Sequence, residues 1–276
     1  GFERAKELNI NPSYLSTLFK KETGSTLTDF VNHKRIEHAI LLLNSTDMQI
    51  QTIALYCGIP DVNYFTKTFK KIVGKTPTEY LNDLGVFELP TLAAHSVYLN
   101  DTDIEILKAH NVGIAHNPTS NLKLASGIAN IPKYLQAGLN VGLGTDGCSS
   151  NNTLNMFKEM AICSFVQKVN AMDPTVLPAE EILKLATIGG AKAMRWDDEI
   201  GTLEVGKKAD LILVDLNKPH FAPWNNSVSD LVYSAQGSDV KTTIVNGKVL
   251  MKNYEVLTMD VEKIMAETSR IARNVL

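Results

Sequence analysis

The sequence predicts a mixed fold in two parts. Residues 1–84 read as an all-α double helix-turn-helix, and the rest reads as βα units of a parallel sheet or barrel. Three observations carry this. Tyr14–Lys21 and Tyr64–Lys71 align at a fixed offset of 50, which continues through Gly24/Gly74, Thr26/Thr76 and Phe30/Tyr80. From Thr91 the apolar period changes, and short apolar runs end in polar residues at His95, His116 and Asp146. Between and after those runs lie stretches with helical spacing.

In the first copy of the repeat, Asn11-Pro12 supplies an N-cap followed by proline at the first helical position. Tyr14, Leu15, Leu18 and Phe19 then share one face, and Gly24 stops the helix. Ile36, Ala39, Ile40 and Leu43 follow the i, i+3, i+4, i+7 spacing of a long linking helix. Ile50–Tyr56 forms the first helix of the second unit. There Asp61 caps, Phe65, Phe69 and Ile72 face inward, and Gly74 stops.

The outward face of the second helix in each unit carries Ser13, Ser16, Thr17 and Lys20, then Asn63, Thr66, Lys67 and Lys70. Such residues suit a helix in a major groove, with hydroxyls and amides on base edges and ammonium groups on phosphates. They equally suit the solvated face of a small bundle, and the repeat decides for DNA as partner. Residues Ala5–Leu81 resemble the DNA-binding domain of AraC/XylS-family regulators, through Tyr14-Leu15-Ser16, Phe19–Gly24, Lys34-Arg35-Ile36, Gly58-Ile59 and Gly74-Lys75-Thr76-Pro77. The resemblance implies sequence-specific DNA binding and transcription regulation.

Composition is that of a globular chain: 276 residues, 44% apolar, 21% charged, net charge −3. Residues 1–84 hold 10 Lys/Arg against 9 Asp/Glu, so pattern rather than bulk charge supports nucleic-acid binding. No apolar run reaches the roughly 18 residues of a membrane span, which argues against a membrane partner. Gly1–Asn9 lacks the features of a signal peptide. Cys57, Cys148 and Cys163 are odd in number without CxxC spacing, which favours a reducing, cytoplasmic setting. The chain opens without Met in what reads as the middle of a helix, and the expectation is a truncated start.

In the second part, Thr91–His95, Val112–His116 and Val141–Asp146 read as strands, and barrel enzymes place their chemistry at the C-terminal ends of such strands. Ala93-Ala94-His95, His116–Leu124, Gly142–Gly147 and Asn151-Asn152 together resemble the amidohydrolase superfamily, close to the 5-methylthioadenosine/S-adenosylhomocysteine deaminases. Glu181–Met194 resembles the helix after the barrel, and Gly201–Leu211 the return into a small β-sandwich. Thr243–Leu250 turns at Asn246-Gly247, and Thr268–Leu276 closes a terminal helix. The full expectation is an all-α unit over 1–84, the last strands of a TIM-type barrel over 85–194, and a β-sandwich segment with a C-terminal helix over 195–276.

The resemblance implies hydrolytic deamination of an adenine nucleoside by a metal-activated water. Asp146 would ligate the metal and take the water's proton, and His95 would hold the hydroxide and stabilise the intermediate. Zinc or another divalent metal belongs to the parent family. The six histidines include no HxH and no HxxE, so Asp146 stands alone where such a site needs about four ligands. Stable metal binding and activity of the isolated chain are therefore not expected. Three readings follow: a chimeric or truncated chain, a fusion carrying a nucleoside-sensing remnant, and a deaminase completed by missing strands or a partner chain. The two incomplete halves favour the first.

Overall fold

The computed structural model describes residues 11–46 and 48–275, in two compact units, Gly1–Val86 and Phe87–Leu276. The expected helical opening, including Ala5–Ile10 of the regulator resemblance, lies outside the described residues, as does Leu276.

The described part of the first unit contains only helices: α1 (Pro12–Thr23), α2 (Leu27–Ser45), α3 (Ile50–Tyr56), α4 (Val62–Val73) and α5 (Pro77–Asp83). Their ends follow local chemistry. Asn11 accepts from the Ser13 N–H at 2.8 Å and Asp61 from the Tyr64 N–H at 2.9 Å, each satisfying a donor that the helix leaves orphaned. Gly24 and Gly74 end α1 and α4 with φ of 74° and 84°, a conformation that costs glycine little. Ile36, Ala39, Ile53, Ala54, Phe65 and Phe69 form the fully buried core. The apolar face expected on α1 is only partly covered: Phe19 packs edge-on against Phe30, while Tyr14 stays 60% exposed.

The second unit begins with three parallel strands, β1 (Leu92–Ala94), β2 (Gly113–His116) and β3 (Asn140–Leu143), in the order β1-β2-β3. Between them run α6 (Asp101–Ala109), α7 (Pro118–Lys123) and α8 (Ile131–Ala137), followed by α9 (Cys148–Asn151), α10 (Met156–Ala171), α11 (Ala179–Leu185) and α12 (Ile188–Ala193). The single helix expected over 181–194 is thus two, broken at Thr187 before a Gly-Gly pair of poor helix propensity. Those glycines serve packing instead. A Cβ on Gly142 of β3 would lie 2.5 Å from the Gly190 Cα, so α12 rests directly on the strand.

Over the segment expected to be a β-sandwich portion the chain forms one antiparallel sheet, β4 (Leu211–Val214), β5 (Val240–Val245), β6 (Lys248–Lys252) and β7 (Glu255–Val256), in that order. Ile212 and Leu213 on β4 remain about half exposed, so among the described residues no second sheet covers that strand. Asn246 and Gly247, both at positive φ, make the β5–β6 hairpin turn. Helices α13 (Ser227–Tyr233) and α14 (Val261–Val275) complete the unit. Among the described residues no helix is long and apolar enough to cross a membrane.

Candidate active site

The two residues singled out for catalysis meet at the same end of the parallel sheet. His95 follows β1, Asp146 follows β3, and His95 Nε2 lies 3.6 Å from Asp146 Oδ2. Both backbones are left-handed, with φ of 64° and 59°. Non-glycine residues pay for that conformation, and such strain concentrates at sites where a side chain must be aimed.

The segment after β2 holds both side chains. Ser120 Oγ donates to Asp146 Oδ2 at 2.6 Å, and the Gly147 N–H donates to Oδ1 at 2.6 Å. Burial pushes the Asp146 carboxyl up, but hydrogen bonds from Ser120, Gly147 and Ser150, with the nearby His95, outweigh it and hold the carboxyl below its ordinary value. Asp146 is therefore a carboxylate at neutral pH. His95 Nδ1 lies 2.7 Å from Asn121 Oδ1. His116, at the end of β2, is buried, and among the described residues neither ring nitrogen has a hydrogen-bond partner. Burial first, and His95 second, push its pKa down to about 3, so it stays neutral.

A buried carboxylate ties the two site-bearing loops to α10. Glu159, fully buried, accepts from the Thr119 N–H at 3.1 Å and from Asn151 Nδ2 at 2.8 Å. Asn151 Nδ2 also reaches the Thr145 carbonyl at 2.6 Å, next to Asp146. Reading by residue type passed over Ser120, Asn121, Asn151 and Glu159 as functional. The signal available was the run of polar residues just past a strand, where solvent-facing loops are usual and burial is not.

Asp146 and His95 do not by themselves make a zinc site. Among the described residues no three His, Cys, Asp or Glu side chains converge as a metal would require. One carboxylate and one imidazole leave such a site about two ligands short.

The remaining candidate residues are distributed as their helices dictate. Ser13, Ser16, Thr17 and Lys20 are exposed on α1; Asn63, Lys67 and Lys70 are exposed on α4, where Thr66 is partly covered. Lys70 Nζ sits 3.9 Å from the Glu79 carboxylate, and its neighbour Lys71 lies 3.1 Å from Asp29.

Comparison with known proteins decides between the two resemblances. The model of the amidohydrolase family matches residues 31–250. A 5-methylthioadenosine/S-adenosylhomocysteine deaminase of Caldanaerobacter subterraneus subsp. tengcongensis is 56% identical over 203 residues, which is 74% of this chain and 47% of the relative. A 5'-deoxyadenosine deaminase of Methanosarcina acetivorans is 52% identical over 207 residues, 75% of this chain and 48% of the relative. Among solved structures, a zinc-bound adenosine deaminase from Xanthomonas campestris matches with TM-score 0.73 and 32% identity, covering 82% of this chain and 53% of that one. The chain spans about half the length of the curated relatives it matches.

These matches correct the regulator reading. The family model starts at Val31 and runs through α2 to α5, so residues 1–84 are not assigned to an AraC/XylS domain. The separate helix-turn-helix fold, transcription regulation and the DNA partner fall with that assignment. The physical reason is that a repeat of caps and stops specifies helices and nothing more. Ser13, Ser16, Thr17 and Lys20 on α1 and Asn63, Lys67 and Lys70 on α4 lie on solvated faces, with Thr66 partly covered and Lys70 close to a carboxylate. Zinc in the matched solved structure shows that the family uses a divalent metal. A family model covering most of the chain settles the membership: this chain belongs to the amidohydrolase family.

Proposed function

We propose that this chain supplies the Asp146–His95 wall of an adenine-nucleoside deaminase, completed by further barrel strands that bring the remaining ligands. The single observation carrying the reading is the convergence of Asp146 and His95, 3.6 Å apart, at the C-terminal ends of β1 and β3. The relatives named above support the substrate class: 5'-modified adenosines such as 5-methylthioadenosine, S-adenosylhomocysteine and 5'-deoxyadenosine. β1 and β3 are the outer strands of a three-stranded parallel sheet, and such edges call for pairing.

The reaction replaces the ring amino group by oxygen. Water adds to the carbon bearing the amino group, the C–N bond breaks, and ammonia leaves. Asp146, held as a carboxylate by its hydrogen bonds, takes a proton from the water and returns it to the departing nitrogen. His95 holds the attacking oxygen. A bound divalent metal acidifies the water in such enzymes. The ligands found here are too few to hold one, and the residues completing the set belong to the strands that pair with these edges. The three free thiols, Cys57, Cys148 and Cys163, support a reducing, cytoplasmic setting.

The test is turnover by the chain combined with the N-terminal half of a deaminase relative, in the presence of zinc. Conversion of 5-methylthioadenosine to its hypoxanthine product, read by ultraviolet absorbance and mass, is the expected result. A soluble one-to-one complex that leaves all three nucleosides unchanged would refute the reading.

A further inference from the structure

Consecutive residues of α7 each grip one member of the Asp146–His95 pair. Ser120 Oγ donates to Asp146, and Asn121 Oδ1 sits 2.7 Å from His95 Nδ1. Asn121 is 2% exposed, and its Nδ2 finds no partner among the described residues. A buried amide with one bonded end is an aiming device more than a stabilising contact, because its second end gains nothing from burial. An imidazole that gives its Nδ1 hydrogen to a carbonyl oxygen has, when neutral, a bare lone pair on Nε2. His95 Nε2 itself lies 3.6 Å from Asp146 Oδ2.

We propose that Asn121 is a positioning residue that fixes His95 as the Nδ1–H tautomer, so that His95 Nε2 and Asp146 Oδ2 present two acceptors to one hydrogen-bond donor. The catalytic meaning rests on the deaminase reading above: the donor fitting between two acceptors is the attacking water, or the amino group of the substrate. His95 then receives a hydrogen bond and does not offer one. In this role Asn121 acts through the orientation and tautomer of the ring.

Long-range nitrogen–proton correlation spectra of the full chain, labelled with ¹⁵N-histidine at alkaline pH, read the tautomer directly. His95→Gln identifies the His95 signals by their loss. The wild type and Asn121→Asp, which keeps an acceptor facing Nδ1, are expected to show a protonated Nδ1 and a pyridine-type Nε2. Asn121→Leu, with circular dichroism reporting its fold, is expected to shift both nitrogens toward tautomer-averaged positions. An Nε2–H tautomer in the wild type or in Asn121→Asp would overturn the proposal, even if Asn121→Leu does not fold. So would an unshifted pattern in folded Asn121→Leu. Lack of turnover in the completed enzyme leaves these spectra unchanged, so the two readings fail separately.

Discussion

Replacing Glu159 with alanine probes how the site is held. The carboxylate is fully buried and accepts from the Thr119 N–H, one residue before Ser120, and from Asn151, which also bonds the carbonyl of Thr145. Glu159→Ala leaves two buried donors short of an acceptor, at about 1–3 kcal/mol each, or roughly 2–6 kcal/mol together. Releasing a charge from its desolvation penalty recovers part of that. A net loss of about 3 kcal/mol is expected, equivalent to a fall of about 6–12 °C in Tm for a unit of this size. Glu159→Gln keeps one acceptor oxygen, turns its amide NH2 toward the other donor, and should lose about half as much. Circular dichroism melting is the assay, with near-ultraviolet signals of Trp196 and Trp224 reporting the second unit, where both lie. A Glu159→Ala protein melting within about 2 °C of wild type would show that the loops do not depend on this carboxylate.

Three further outcomes follow from the same packing. His116 keeps a pKa of about 3 in the fold against 6.5 when unfolded, so between those values only the unfolded chain takes the proton. Stability falls as pH drops through that window, by up to about 5 kcal/mol, and acid titration of His116→Leu should show a lower midpoint than wild type. Burial, then the charge of Glu159, push the Cys163 thiol up to about 12, while Cys148 is exposed. Alkylation of the native protein with mass detection should therefore modify Cys148 and spare Cys163. Gly142→Ala would place a methyl 2.5 Å from the Gly190 Cα, and a displaced α12 should cost about 1–3 kcal/mol in urea unfolding.

Local chemistry made much of the fold legible. Asn11, Asp61, Gly24 and Gly74 act through neighbours a few residues away, and they and Asn246-Gly247 form the cap, stop or turn their types demand. The three strand ends were readable because an apolar run closing on His or Asp is a short pattern. Function in the first unit is not legible for the same reason: caps and periods specify where helices begin and end, while partner choice depends on surfaces that spacing does not describe. The site's internal wiring was hidden because its partners lie far apart in sequence. Ser120 meets Asp146 across 26 residues, and Thr119 meets Glu159 across 40. No periodicity reports such pairs; only the folded β2–β3 geometry brings them together. The break at Thr187 is not legible in the spacing, because the close approach of β3 to Gly189-Gly190 adds to their poor helix propensity in setting the course of α12.

The most direct test of the deaminase account is the effect of Asp146→Asn on nucleoside turnover in the completed enzyme. This substitution keeps the size of the side chain and its contact with Ser120 while removing the charge that takes the proton. Wild-type chain joined to the complementary half should deaminate 5-methylthioadenosine, and Asp146→Asn should lower kcat by at least about 10²-fold with the complex still formed. Equal turnover by both proteins would place the chemistry elsewhere and contradict the assignment of this site.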